Sequence, residues 1–136
     1  MTAFEFQIRV YWEDTDAGGI VYYANYLKFF ERARTEWLRR LGLGQQTLRQ
    51  QTGGMFVVAR AHIDYHRPAW LDDELVVTVQ LQHRGRAALV VEQQARRARD
   101  AARQLLCQGT IRLGWVDAAG LKPMRIPPTI IEKLNP

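Results

Sequence analysis

The chain has 136 residues, 47% hydrophobic and 24% charged, a composition that builds a hydrophobic core and argues against disorder. Its net charge of +5 comes mostly from arginine, which leaves nucleic acid, a small polyanion and a solvated basic face all open as explanations. There is no serine and one cysteine, Cys107, so serine nucleophiles, internal disulfides and cysteine-rich metal sites are excluded.

The segment Met1–Phe6 lacks the charged and apolar regions of a secretory signal. No apolar run reaches the ~18 residues of a membrane span, so a cytoplasmic protein without membrane insertion is expected. Phe4, Phe6, Ile8, Val10 and Trp12 alternate with Glu5, Gln7, Arg9 and Tyr11, the period of a half-buried strand. Residues Glu13–Gly19 break that pattern. From Ala24 to Leu41 the period becomes helical, with Tyr26, Phe30, Ala33, Trp37 and Leu41 on one stripe and Phe29 widening it. Gly42 then stands where a helix ends, with Arg39 and Arg40 near the negative end of the dipole. The helical arginines Arg32, Arg34, Arg39 and Arg40 read as a solvated face. Gly44–Gln51 is polar, a short helix or loop closed by Gly53-Gly54.

Four strand patterns follow. In Met55–Arg67, Val57, Ala59, Ala61, Ile63 and Tyr65 face one way and Arg60, His62, Asp64 and His66 the other, until Pro68 ends the strand. Glu74–Gln82 puts Leu75, Val77, Val79 and Leu81 on one face. The turn His83-Arg84-Gly85-Arg86 leads into Ala87–Ala95. Gln104–Val116 buries Leu105, Cys107, Ile111, Leu113 and Trp115 by the same alternation. Asp117–Gly120 is a turn, and Pro127-Pro128 opens a short helix through Leu134. Strand, long helix and four more strands, with short turns that favour antiparallel pairing, define one α+β domain over residues 1–136.

His62 and His66 lie four strand residues apart, ~13 Å, too far to share a metal ion, and no metal site is expected. His83 reads as a solvated turn residue, Asp72-Asp73 as turn chemistry, and Asp64 as a surface pair, subunit contact or site residue. Cys107 reads as a small buried strand residue. The loop Glu13-Asp14-Thr15-Asp16 differs, because three carboxylates crowd into it directly before Gly18-Gly19 and the helix. An N-terminal cap explains the acids. It explains poorly two glycines followed by Ile20-Val21-Tyr22-Tyr23, where a backbone approaching a ligand would use glycine. A loop carboxylate beside a positive helix end supplies a base or nucleophile together with a place for an oxyanion.

The stretch Glu13-Asp14-Thr15-Asp16-Ala17-Gly18-Gly19-Ile20-Val21-Tyr22-Tyr23-Ala24-Asn25-Tyr26, continued by Phe29-Phe30-Glu31-Arg32-Ala33-Arg34-Thr35-Glu36, resembles the signature of the hotdog-fold acyl-CoA thioesterases. It is most similar to their Tol-Pal-associated branch, related to 4-hydroxybenzoyl-CoA thioesterase. Ile63-Asp64-Tyr65-His66-Arg67-Pro68-Ala69 and Asp73-Glu74-Leu75 extend the likeness along the chain. The resemblance implies a five-stranded antiparallel sheet wrapped around one long central helix. It also implies hydrolysis of a short-chain or aromatic acyl-CoA, with Asp16 as the catalytic carboxylate and the Tyr23 backbone N–H polarising the thioester carbonyl. Many members of the closest branch carry histidine where this chain has Tyr23; a backbone donor survives that change, a side-chain role does not.

The resemblance further implies that Arg84, Gly85 and Arg86 lie near the phosphates of coenzyme A, although a solvated turn accounts for the same residues. Coenzyme A is then part of the substrate and no separate cofactor is implied. In this family the site lies between subunits, so a homodimer or homotetramer is expected, with an acyl carrier protein as a further partner. An exposed edge strand favours such pairing on physical grounds. Two other functions fit less well. A non-catalytic acyl-CoA or acyl-carrier-protein binding module would bind without releasing thiol. A dehydratase would ordinarily need a histidine beside its acid, and none occurs before His62. Nucleic-acid binding is not expected, because the aromatics concentrate on the helix core face rather than among the arginines.

Overall fold

The computed structural model describes residues 3–134, so Met1 and Thr2 of the N-terminal reading lie outside the described residues. Strand β1 (Phe4–Arg9) leads through a 3-10 turn (Trp12–Asp14) to helix α1 (Asn25–Arg40) and helix α2 (Gln45–Thr52). Strands β2 (Gly54–Tyr65), β3 (Glu74–Arg84), β4 (Ala88–Arg97) and β5 (Leu105–Asp117) follow, then helix α3 (Pro128–Leu134). All five strands form one antiparallel sheet in the order β1-β3-β4-β5-β2. The strand of highest exposure, β2, is therefore an edge, and it reaches β5 rather than its sequence neighbour β3.

Helix α1 buries Tyr26, Phe29, Phe30, Ala33 and Trp37 against the sheet, as its period requires. Each fully buried phenylalanine stabilises the fold by roughly 1.5–3 kcal/mol. Gly42 takes φ 79°, the left-handed conformation that ends a helix without steric cost. Arg39 and Arg40 occupy the last turn.

Three strand expectations fail for local reasons. Trp12 is 83% exposed, because pairing with β3 stops at Arg9 and the chain coils into the 3-10 turn. In β2 the register shifts between Val58 and Arg60. Before this bulge Phe56 and Val58, opposite Trp115 and Leu113, face the helix; after it Ala61, Ile63 and Tyr65 do. Val57 and Ala59 thus miss the face that strict alternation assigns them, since one extra residue inverts the pleat. In β5 the register slips against β4, and Leu106 rather than Leu105 is fully buried.

The arginine reading also changes. Arg34 is only 6% exposed, and its Nη1 donates to Gln93 Oε1 at 2.9 Å. Gln93, fully buried on β4, donates through Nε2 to the carbonyls of Phe30 (3.0 Å) and Thr78 (3.3 Å). Burial holds the Arg34 pKa below the ordinary guanidinium value, with nearby Glu31 opposing the shift. One amide therefore ties the middle of α1 to two strands.

Cys107 is buried in β5 as expected, and burial pushes its thiol from 9.0 up to about 12. The folded state then holds a proton that the unfolded chain releases, so this contribution is full below pH 9.0 and is lost as pH rises toward about 12. Tyr26, raised by burial from 10.0 to about 12, acts in the same direction. Native protein at pH 8 should leave Cys107 untouched by an aromatic disulfide reagent, and denaturant should expose one titratable thiol; fast labelling of the native chain would contradict this.

Candidate active site

Between β1 and α1 the chain makes a small hairpin, and its backbone bonds explain the acidic motif. Tyr11 N–H donates to Asp14 Oδ2 at 2.8 Å, and Asp14 is 6% exposed. Its carbonyl accepts Tyr22 N–H at 2.9 Å and Asn25 Nδ2 at 2.8 Å. Asp14 is thus a structural acid that ties the loop to the helix start. Thr15 bridges Val21, and Asp16 N–H donates to the Ile20 carbonyl at 2.9 Å. Gly19 N–H returns to the Asp16 carbonyl at 3.0 Å with φ +82°, which closes the turn at low cost only for glycine.

Asp16 stands exposed near the tip of this hairpin. Its Oδ1 accepts Gly18 N–H at 2.8 Å, which fixes the carboxylate, and a β-carbon at Gly18 would meet Oδ1 at 3.2 Å. No ion pair engages Asp16 among the described residues. The second arm of the hairpin rests on the segment before β3: Val21 N–H donates to the Ala69 carbonyl at 2.9 Å and Leu71 N–H to Gly19 at 3.2 Å. Glu13 is exposed.

Tyr23 sits at the base of the same hairpin, just before α1, and is 60% exposed. The Tyr22 carbonyl accepts Asn25 N–H at 2.8 Å inside the turn. In a trans peptide the carbonyl and the N–H point opposite ways, so the Tyr23 N–H is directed away from the helix. Among the described residues no acceptor takes it. The exposed rings of Tyr22 and Tyr65 meet that of Tyr23, with centroids 5.0 and 5.9 Å away. The fold thus gathers Asp16 and Tyr23 on one loop, with a fixed carboxylate on one arm and an outward N–H at the base of the other.

Arg84, Gly85 and Arg86 lie elsewhere. Arg84 ends β3, and Gly85 and Arg86 continue into the β3–β4 turn, closed by Gly85 N–H to the Ala88 carbonyl at 2.8 Å and joined by Ile126 N–H to the Arg86 carbonyl at 2.7 Å. With Arg125 and Ile131 they line a depression of about 450 Å³. The acidic hairpin is anchored near Glu74, at the other end of β3, ten residues or ~33 Å away at ~3.3 Å per residue. One chain therefore does not bring the arginine turn to Asp16.

His62 and Asp64 are exposed partners, Nε2 to Oδ2 3.5 Å, the surface pairing that strand geometry allows. His66 is exposed, and His83 belongs to β3 rather than to the turn. Asp73 Oδ2 accepts Trp70 N–H at 2.9 Å and Asp72 takes φ 72°, the expected turn chemistry. Sequence reasoning overlooked Asn25, Tyr65 and Arg125. Asn25 had a signal, a side-chain donor at the first helical position; Tyr65 and Arg125 reach their places only through tertiary contacts.

Comparison with known proteins places the chain in a class. A model of the thioesterase-like superfamily matches residues 10–134. Acyl-CoA thioesterase YbgC of Haemophilus influenzae is 44% identical over 124 residues, 91% of this chain and 88% of that protein. Acyl-CoA thioester hydrolase YbgC of Escherichia coli O6:H1 is 39% identical over 134 residues, 98% and 97% of the two chains. The crystal structure of a probable thioesterase from Bartonella henselae superimposes with a TM-score of 0.83 at 33% identity, covering 93% of this chain and all of that one. DHNA-CoA thioesterase from Staphylococcus aureus, 21% identical, shares the fold with a TM-score of 0.89 over 98% of this chain and 89% of its own. The architecture is the hotdog thioesterase fold, α+β, with a five-stranded antiparallel sheet. The chain belongs to the thioesterase-like superfamily.

Proposed function

We propose that this enzyme hydrolyses the thioester of an acyl-CoA to the free acid and coenzyme A, with Asp16 as the reacting carboxylate and the Tyr23 N–H as the oxyanion donor. The observation that carries the reading is the capture of the Tyr22 carbonyl by Asn25, which leaves the adjoining Tyr23 N–H free on the hairpin that bears Asp16. As the carbonyl carbon is attacked its oxygen gains negative charge, and a fixed N–H beside a helix N-terminus stabilises that charge without reorganising. Loss of one such donor costs on the order of 3 kcal/mol.

Asp16 has two routes. It attacks the carbonyl through a carboxylate oxygen and expels the thiolate, leaving an acyl-enzyme anhydride that water opens. Alternatively it takes a proton from water as that water attacks. Both end in the same acid and thiol. The exposed rings of Tyr22, Tyr23 and Tyr65 support a short-chain or aromatic acyl group.

Arg84 and Arg86 act on the phosphates of coenzyme A from a second copy of the chain, which reconciles their separation from Asp16 with one site. The exposed edge of β2 supports a homodimer or a homotetramer. The Asp-Thr-Asp-Ala-Gly-Gly motif supports the Tol-Pal-associated branch, and a coenzyme A substrate fits the cytoplasmic location expected from the sequence. An acyl carrier protein presents the same thioester, the reason to carry it as a second acyl donor.

The test is free-thiol release from a panel of acyl-CoAs differing in length and aromaticity. Multiple turnovers support the reading, and tight binding without thiol release sinks it. Replacing Arg84 and Arg86 with alanine should raise KM for acyl-CoA about tenfold, the ~1.4 kcal/mol of two screened phosphate contacts, and leave kcat in place. An unchanged KM would remove the turn from the site.

A further inference from the structure

Tyr65 closes β2, and its hydroxyl donates to the Tyr23 carbonyl at 3.1 Å. Its ring meets that of Tyr23 edge-on, with centroids 5.9 Å apart, and that of Tyr26 at 5.8 Å. Tyr26 is buried in α1, and its hydroxyl accepts Ala69 N–H at 3.2 Å. Tyr65 thus stands on a braced platform.

The Tyr23 carbonyl lies one residue outside the helix cap. Leu27 N–H, the donor four residues on, goes to Ala24 instead at 3.2 Å. What holds the carbonyl is the Tyr65 hydroxyl. The two peptides flanking the Tyr23 α-carbon therefore have separate restraints, Asn25 N–H on the Tyr22 carbonyl and Tyr65 Oη–H on the Tyr23 carbonyl. Together they limit both backbone torsions of Tyr23, and with them the direction of its N–H. A phenol is protonated at neutral pH, and partial desolvation raises that of Tyr65 further above its ordinary value, so the hydroxyl is a donor there.

We propose that Tyr65 is a positioning residue for thioester hydrolysis, its hydroxyl locking the Tyr23–Ala24 peptide so that the Tyr23 N–H is aimed at the developing oxyanion. This role rests on the reading of that N–H as the oxyanion donor. Tyr65 itself touches no reacting atom. It acts across the fold, from the edge strand to the start of the helix.

The experiment compares Tyr65→Phe, which keeps the ring contacts and removes only the donor, with the wild-type enzyme. Loss of one aiming hydrogen bond should lower kcat about five- to tenfold, with KM and the thermal midpoint unchanged. A kcat equal to wild type, or a loss confined to KM, overturns the role. A second readout needs no turnover: the infrared carbonyl band of an acyl-CoA bound to Asp16→Asn protein. That band should lie below the free thioester value, and adding Tyr65→Phe should move it back toward that value. A band that Tyr65→Phe does not move overturns the proposal. A chain that releases no thiol, yet shifts the band in a Tyr65-dependent way, sinks the hydrolase reading and upholds the aiming role.

Discussion

Asp16→Asn is expected to lower kcat for acyl-CoA hydrolysis by about 10²–10⁴-fold, the range that a positioned proton-transfer group supplies. The substitution isolates chemistry from structure. Asparagine keeps an Oδ1 that accepts the Gly18 N–H, so the turn and its Gly19 conformation persist. Asp16 is exposed and makes no ion pair among the described residues, so melting temperature should not move. What disappears is the charge and basicity of the second oxygen. KM should stay near wild type, because the amide side chain removes no binding contact the substrate makes in its ground state. Free-thiol release under saturating acyl-CoA measures the effect, and turnover within a factor of about three of wild type would refute the role of Asp16. The neighbouring carboxylate offers the contrast: Asp14 is buried and spent on the Tyr11 N–H.

The second large effect is on stability. Gln93→Leu should destabilise the fold by about 3–5 kcal/mol, since each buried polar group left unpaired costs about 1–3 kcal/mol. The Arg34 guanidinium and the Thr78 carbonyl lose a partner at once, and the Phe30 carbonyl loses the second donor it holds beyond its helical bond. Arg34 has no carboxylate within ion-pair distance among the described residues, so only the longer-range attraction of Glu31 would offset its buried charge. Adding Arg34→Met should recover part of the loss, because removing both partners avoids the orphaned charge. Urea unfolding of the two single variants and the double variant gives the cycle. A Gln93→Leu cost below about 1 kcal/mol, the ordinary size of a single substitution, would show that the amide is not the tie described.

These two residues mark the difference between what was legible and what was not. Asp16 stood out in the sequence because its neighbours are informative at short range: three acids, two glycines and a helix period, all within one loop. Gln93 had no such signal. It interrupts an apolar alternation, Leu89, Val91, Ala95, and a polar residue there reads as a flaw until its three partners are seen. Arg34 misled for the related reason that charge predicts exposure unless a buried acceptor waits across the sheet. Val57 and Ala59 show a further limit. Alternation locates a strand, but the bulge after Val58 inverts the faces, and no local residue announces it.

The long helix was legible almost to its ends, from Tyr26 through Trp37 to the stop at Gly42, because its period and its capping glycine are properties of neighbouring residues. The strands were legible as segments for the same reason. Pairing was not: that β2 joins β5 and lies at an edge depends on contacts between residues some fifty positions apart. The site divides along the same line. The sequence by itself determined the carboxylate loop, the helix behind it and the family signature they compose. Only the tertiary structure decided that Asp14 is buried while Asp16 is free, that Tyr65 reaches the Tyr23 carbonyl, and that the arginine turn lies at the far end of β3. Local periodicity and turn chemistry act within a few residues and are written in order along the chain. Which carboxylate keeps its solvent, and which tyrosine finds which carbonyl, follows from how distant segments exclude water from one another.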